Sequence, residues 1–471
     1  MQDELRLKWE MAGGKVPPHW HFVTIENLLA TPKSIAVGVM YPGTNTEGGV
    51  PLTKVSDVKN GRIVAKPDFL ISTEKDEEYK RTRLQGGELL VTLVGNPGDC
   101  VLVTEEMIGW NVARAIAALR LKNPELRKWI RYVFLSAPAQ NFLDARLNTT
   151  VQKTLNLKDI RELALPVPPD DERVRITGVI ETIDDKIEVN RQMNTTLEAM
   201  AQALFKSWFV DFDPVIDNAL SAGNSIPEPL QARAEMRKAL GDQRKPLPAE
   251  IQRQFPSRFV FTEEMGWVPE GWEVGAFRDI AVHIRDNVKA EVVGDFDFYI
   301  GLEHIGRKQL FLTESGTGDS IESNKSQFAE YDLLFGKLRP YFHKVCIAPQ
   351  EGICSTDILV FRAKQPSLHA FMTMTAFRDE FVEYADIRST GTRMPRANAK
   401  DMLAYPIIIP SAPLMAEFEK MVSLHWVRGM QSANESHELA KLRDALLPKL
   451  LSGQLRIPEA EAMIERAGVA V

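Results

Sequence analysis

The chain has 471 residues, about three domains' worth, and its 44% hydrophobic and 26% charged content excludes wholesale disorder. Lys plus Arg number 57 against 64 Asp plus Glu, and the net charge of −7 excludes a uniformly basic nucleic-acid coat protein, though not a reader with cations gathered on one face. Three cysteines (Cys100, Cys346, Cys354) are too few for a disulfide framework, and no run of 18 apolar residues exists to span a membrane. Met1 to Arg6 is charged at once and lacks the apolar core of a signal peptide, so a cytoplasmic location is expected.

Taken in chain order, the elements occur twice. Residues 1–166 carry short apolar runs punctuated by Gly, Pro and Asn (Glu88 to Val94, Val101 to Thr104), the texture of strands with a few helices. From Glu172 to about Val210 there is no proline and one glycine, and apolar residues recur at helical spacing. Residues 213–262 are studded with prolines and hold a helical run from Gln231 to Leu240, which reads as a semi-ordered connector. Residues 263–408 repeat the first texture (Asp332 to Phe335, Asp357 to Phe361), and Met415 to about Leu451 repeats the helix.

Four matches in the same order establish the duplication. Gly14-Lys15-Val16-Pro17-Pro18-His19-Trp20 answers Gly266-Trp267-Val268-Pro269-Glu270-Gly271-Trp272 at an offset of 252. Glu88-Leu89-Leu90 answers Asp332-Leu333-Leu334 at 244, Asn156-Leu157-Lys158-Asp159-Ile160 answers Asn398-Ala399-Lys400-Asp401-Met402 at 242, and Val167-Pro168 answers Ile409-Pro410 at the same 242. The expected fold is α+β: two tandem repeats, each a strand-rich α/β domain followed by a long helix. The divisions fall at 1–166, 167–212, 213–262, 263–408, 409–455 and a tail of 456–471.

The first helix carries heptads. Ile176, Ile183, Asn190, Leu197 and Leu204 mark one seam position, with Ile180, Ile187, Asn194, Ala201 and Trp208 four residues after each. The second offers Phe418, Val422, Leu439, Leu446 and Leu450, also around a polar centre (Gly429, Ser432, Ser436). The two are expected to pair as an antiparallel coiled coil. The alternative is that each helix packs on its own globular part.

Catalytic motifs are scarce. There is no phosphate-cradling G-x-x-x-x-G-K-[ST], no G-x-G-x-x-G after a strand, no Asn-Pro-Pro-aromatic tetrapeptide, no G-x-S-x-G and no H-E-x-x-H. Pro67-Asp68 with Glu78-Tyr79-Lys80 fits the short P-D…E-x-K pattern of Mg²⁺ nucleases, against a solvated charge run around Glu74 to Glu78. His343, Cys346 and Cys354 could ligate zinc, against buried thiols in a strand-rich core. The sequence reads as a binder without catalytic residues or metal ligands of its own.

Cations mark what is bound. Between Lys337 and Lys400 stand ten Lys or Arg and six Asp or Glu, a local excess of four positive charges. Lys337, Arg339, Tyr341, His343 and Lys344 lie at one loop tip, and Arg388, Thr392, Arg393 and Arg396 lie along a second loop. The first repeat offers Thr149 and Lys153 in the equivalent loop, with Lys54, Lys59 and Arg62 around the turn Lys59-Asn60-Gly61. Such groups suit phosphate positioning and hydrogen bonding to base edges.

Two globular modules alternating with two helices resemble the specificity subunit of type I restriction–modification systems. The stretch Ile183-Asp184-Asp185-Lys186-Ile187-Glu188-Val189-Asn190, running on to Phe205-Lys206-Ser207-Trp208-Phe209, is similar to that family's central conserved helix. Leu442-Arg443-Asp444-Ala445-Leu446-Leu447-Pro448-Lys449-Leu450-Leu451-Ser452-Gly453 resembles its C-terminal counterpart, and Trp267-Val268-Pro269-Glu270-Gly271-Trp272 resembles the start of a second recognition domain. The resemblance implies double-stranded DNA as ligand, one half of a split target per recognition domain, and a helical ruler between them. It further implies two modification (methyltransferase) subunits and restriction subunits as partners. S-adenosylmethionine, ATP and Mg²⁺ would then sit on those partners and none on this chain. A stand-alone Mg²⁺ nuclease and a scaffold without DNA affinity are the competing readings.

Overall fold

The computed structural model describes residues 1–59, 61–63, 66–147, 153–241, 247–319, 321–391 and 393–469. They form two compact units: residues 1–186 with 439–471, and residues 187–438. These borders cut through both long helices, Asp170–Phe209 and Ala412–Leu451, so each unit contains a stretch of each.

In the first unit a four-stranded antiparallel sheet has the order Ile35–Val37, Ile116–Leu119, Leu89–Thr92, Cys100–Leu102. The second unit repeats the order with Ala281–Ile284, Ile358–Ala363, Leu333–Gly336 and Val345–Ile347. The register repeats too: Leu89 faces Leu119 and Leu102, and Leu333 faces Phe361 and Ile347. Strand periodicity sends Leu333 and Phe335 into one core and Leu334 into another, where it meets the buried Cys346 and Cys354. The acidic residue that precedes each Leu-Leu pair is buried and held by an arginine of the neighbouring segment. Glu88 meets Arg120 at 3.1 Å, and Asp332 takes Arg362 at 2.6 and 2.7 Å.

A two-stranded ribbon closes each repeat, His21–Thr24 with Ala164–Val167 and Glu273–Ala276 with Pro406–Ile409. Its second strand runs into a long helix after proline, which stops the ladder, and Asp170, Asp171 and Glu172 then complement the first helix's positive end. The tryptophan that precedes each ribbon ties it to one end or the other of the first long helix. Trp20 donates its indole N–H to Glu172 at 3.1 Å, while Trp272 packs on Phe209 and Phe212 with ring centroids 6.0 and 5.8 Å away.

At 1.5 Å per residue the 40-residue helices are about 60 Å long. Their contacts run antiparallel. In the second unit Asn190 donates to Glu435 at 2.8 Å, Met193 meets Ser432 and Arg428, and Phe205 meets Phe418. In the first unit Asp184 meets Arg443 at 2.9 Å.

The proline-studded segment 213–262 contains helices Asp213–Ala222 and Gln231–Ala239. Pro214 sits in the first turn of the former, and Pro229 in the short 3-10 turn Glu228–Leu230 that precedes the latter, where a missing N–H costs nothing. Arg233 clamps Asp213 through two hydrogen bonds of 2.7 Å, and Arg237 pairs with Asp217. Among the described residues, no helix is long and apolar enough to cross a membrane.

Candidate nucleic-acid interface

The two basic loops of the second unit, some 55 residues apart in sequence, are joined by backbone hydrogen bonds. The Arg339 N–H donates to Pro395 O at 2.8 Å, the Ala397 N–H donates to Lys337 O at 2.9 Å, and Leu338 bridges Arg396. Asp357 lies beside both, 4.0 Å from the Lys337 ammonium and 3.3 Å from Arg396 Nε. The turn Pro340–Phe342 is bracketed by Arg339 (φ 52°) and His343 (φ 49°), and Lys308 (φ 52°) donates its N–H to His343 O. These are three of the five left-handed non-glycine residues among those described. Each costs on the order of 1 kcal/mol, and such strain is held where surroundings dictate the backbone.

The side chains divide into struts and free ends. The His343 ring is buried, with Nε2 3.0 Å from Phe377 O and Nδ1 3.1 Å from Asp379. Burial lowers its pKa, with Asp379 opposing. It braces the turn and does not present an edge to a ligand, contrary to the expectation from its place at the loop tip. Lys344 donates to Leu302 O, which ties a second loop cation inward. Tyr341 is 52% exposed, and Arg393 is exposed with no ion pair among the described residues. Arg339 is half-buried beside Phe342, whose ring also carries the Arg307 guanidinium 4.2 Å from its centroid. Arg307 lies about 30 residues upstream, between His304 and Phe311 and next to Lys308, a short basic run that the sequence reading passed over. Arg388 stacks on Tyr384 at 3.5 Å.

The first unit is different. Lys54 places its ammonium 3.6 Å from the Phe69 ring centroid, and Lys153 is exposed. Thr149, Thr392 and the side chain of Lys59 lie outside the described residues. Arg62 turns inward, 3.4 Å from Asp184 on the first long helix, so its charge is met inside the protein.

The nuclease-like pattern does not assemble. Asp68 is exposed, Glu78 pairs with Lys75 at 2.6 Å, and Lys80 pairs with Glu77 at 3.1 Å on the short helix Thr73–Glu78 and the turn after it. Asp76, the buried acid of that run, is held by Arg83 and Asn111. Among the described residues, no group of His, Cys, Asp or Glu is arranged to hold a metal. Burial pushes the Cys354 thiol up to about 12 and Cys346 higher still, so both are inert core residues.

The helices hold these surfaces. Of the seam residues, Ile176, Ile180, Ile183, Trp208, Phe418, Val422, Leu439, Leu446 and Leu450 are buried, while Ile187, Leu197 and Leu204 are half-buried. The helices also grip the globular parts. Gly429 is bare because a Cβ there would stand 2.2 Å from the Phe311 ring. Glu198 accepts the backbone N–H groups of Leu310 and Phe311 at 2.8 and 3.4 Å, and burial raises its pKa to about 7.

A carboxyl whose folded pKa exceeds its unfolded value binds an extra proton in the native state, so stability falls as pH rises from about 4.5 through 7. Glu198→Gln keeps an acceptor for both N–H groups. It is expected to abolish that fall, worth about 2–3 kcal/mol between pH 5 and 8. Chemical denaturation of both proteins at the two pH values measures it, and an unchanged slope would refute the assignment.

Comparison with known proteins agrees with this architecture. Residues 42–199 match the family model described as the type I restriction modification DNA specificity domain. The HindI specificity subunit of Haemophilus influenzae is 29% identical over 66% of this chain and 73% of its own length. The EcoBI specificity subunit of Escherichia coli is 31% identical over 42% of each chain, and the MjaIX specificity subunit of Methanocaldococcus jannaschii is 23% identical over 97% of this chain and 99% of its own. The chain is thus similar to type I restriction–modification specificity subunits, in one case along nearly its whole length.

Proposed function

We propose that this chain is the non-catalytic DNA-recognition subunit of a type I restriction–modification complex. Each unit reads one half of a split target, and the helix pair sets the unspecified spacer between the halves. The duplication carries this reading: one chain presents the same sheet order, register and closing ribbon twice, joined by continuous helices. The sequences at corresponding positions differ between the copies, Thr150-Val151-Gln152-Lys153 against Thr392-Arg393-Met394-Pro395, so the two half-sites differ in sequence. Two modification subunits dock on the helices and supply S-adenosylmethionine and adenine-N6 transfer to a flipped base. Restriction subunits, with ATP and Mg²⁺, join the same assembly.

Deleting the chain and sequencing host DNA for N6-methyladenine tests this. One bipartite motif should vanish, and unchanged methylation would refute the reading. Within the second unit, Arg393→Ala and Tyr341→Ala should each weaken discrimination at one half-site about 10- to 100-fold, the range of a lost base contact of about 1–3 kcal/mol. Methylation sequencing over a randomised half-site library measures it. Equal loss at both halves would make these residues phosphate contacts, which carry no sequence information.

A further inference from the structure

The first unit contains a charged joint whose residues are replaced by uncharged ones at the corresponding positions of the second. Asp184, on the first long helix, is buried and gathers four donors from three other elements. Its Oδ2 accepts from Arg131 at 2.9 Å and from the Tyr132 hydroxyl at 3.2 Å, both on helix Arg127–Leu135. Its Oδ1 accepts from Arg443 of the second long helix at 2.9 Å and lies 3.4 Å from Arg62, at the tip of the hairpin Val58–Ile63. Burial alone would raise the Asp184 pKa, but Arg131, Arg443 and Arg62 outweigh it and hold the carboxyl below its usual range. The donors come from recognition-domain hairpin, recognition-domain helix and ruler helix, so one carboxylate fixes the position of each against the others.

We propose that Asp184 is a positioning residue for base reading by the first unit: it locks the recognition fold to both ruler helices, so that the half-site is read at one fixed spacing. This rests on the DNA-recognition reading above. Helix Arg127–Leu135 is followed, after the extended Ser136, by helix Ala137–Asp144, so the joint positions the hairpin and the start of this helical pair together. At the offset of 242 the second unit has Trp426 in place of Asp184, Ala201 aligned with Arg443, and Thr373 in place of Arg131. All three are buried, and none of them can carry the charge that Asp184, Arg443 and Arg131 carry in the first unit. The effect of breaking the joint is therefore confined to one half-site.

The test uses the full chain co-expressed with its modification subunit. N6-methyladenine is sequenced on libraries randomised at each half-site, with spacers one base pair shorter or longer. Asp184→Asn should lower discrimination at the first unit's half-site at least tenfold and admit the altered spacers, leaving the half-site sensitive to Arg393→Ala unchanged. Arg62→Ala should act in the same direction but less, and Arg443→Lys, which keeps the charge, should retain the wild-type spacer. Reduced methylation of the same motif at the same spacing would show a purely structural role and overturn the proposal. If Asp184→Asn fails to assemble, Arg62→Ala at the half-exposed edge of the cluster decides by the same criteria. A wild-type chain that directs no bipartite methylation would remove the DNA-recognition reading itself, and the joint with it.

Discussion

Deleting residues 439–471 is expected to unfold the first unit and leave the second folded. On sequence alone this segment belongs to the second repeat, so the opposite damage would be anticipated. The structure assigns it to residues 1–186. It buries Leu439, Leu446, Leu447, Leu450 and Leu451, and then Ala460 and Ile464 of the helix Ile457–Arg466. Five leucines at about 1.5–3 kcal/mol each come to roughly the whole stability of a typical domain. The deletion also removes Arg443 from Asp184, leaving a buried charge cluster short of a partner. Arg175, which meets Glu461 at 3.3 Å, loses its partner as well, though an exposed pair adds little. Hydrogen exchange read by mass spectrometry measures the outcome. Protection should be lost across residues 21–167 and kept across 273–409. Equal loss in both would mean that the two units do not fold separately.

The duplication was legible because it is written in residues that do the same backbone work in each copy. The tryptophan pins the ribbon to a helix, the proline stops the last strand, and the acid before Leu-Leu meets an arginine from its buried position. These tolerate little change, so their offsets survive. The heptad pattern likewise located both helices, since apolar period is what pairing requires. It could not show that the borders of the compact units cross those helices, because that depends on contacts between residues hundreds of positions apart.

The candidate site was legible as composition and illegible as geometry. A cation at a hairpin tip has the same sequence signature whether its anion is a phosphate or Asp184, and Arg62 takes the second course. His343 sits in a basic aromatic run, yet its left-handed backbone turns the ring inward to Phe377 and Asp379. The joining of the Lys337 and Arg396 loops uses main-chain hydrogen bonds, which leave no trace in side-chain identity. Asp357, between them, looks like an ordinary strand-end acid until both cations are seen beside it.

Phe418→Ala should destabilise the second unit by about 3–5 kcal/mol, the range for emptying a buried aromatic site. Phe418 is fully buried, with ring centroids 5.9 Å from Phe205, 5.9 Å from Trp208 and 5.0 Å from Phe209. Those rings in turn meet Phe371, Phe255 and Trp272, so the cavity left behind is walled by side chains already committed elsewhere. A cavity that cannot collapse keeps its full cost, and each edge-to-face ring pair that disappears with Phe418 adds about 0.5–1.5 kcal/mol. Ile176 occupies the same helix position in the first repeat, 242 residues earlier, and is also buried. Ile176→Ala should cost about 2–5 kcal/mol, and the loss should fall on the first unit. Hydrogen exchange on the two variants separates the effects by unit. If Phe418→Ala loosened the first unit as much as the second, the aromatic cluster would not be the local keystone its packing describes, and the helices would transmit its loss along their length.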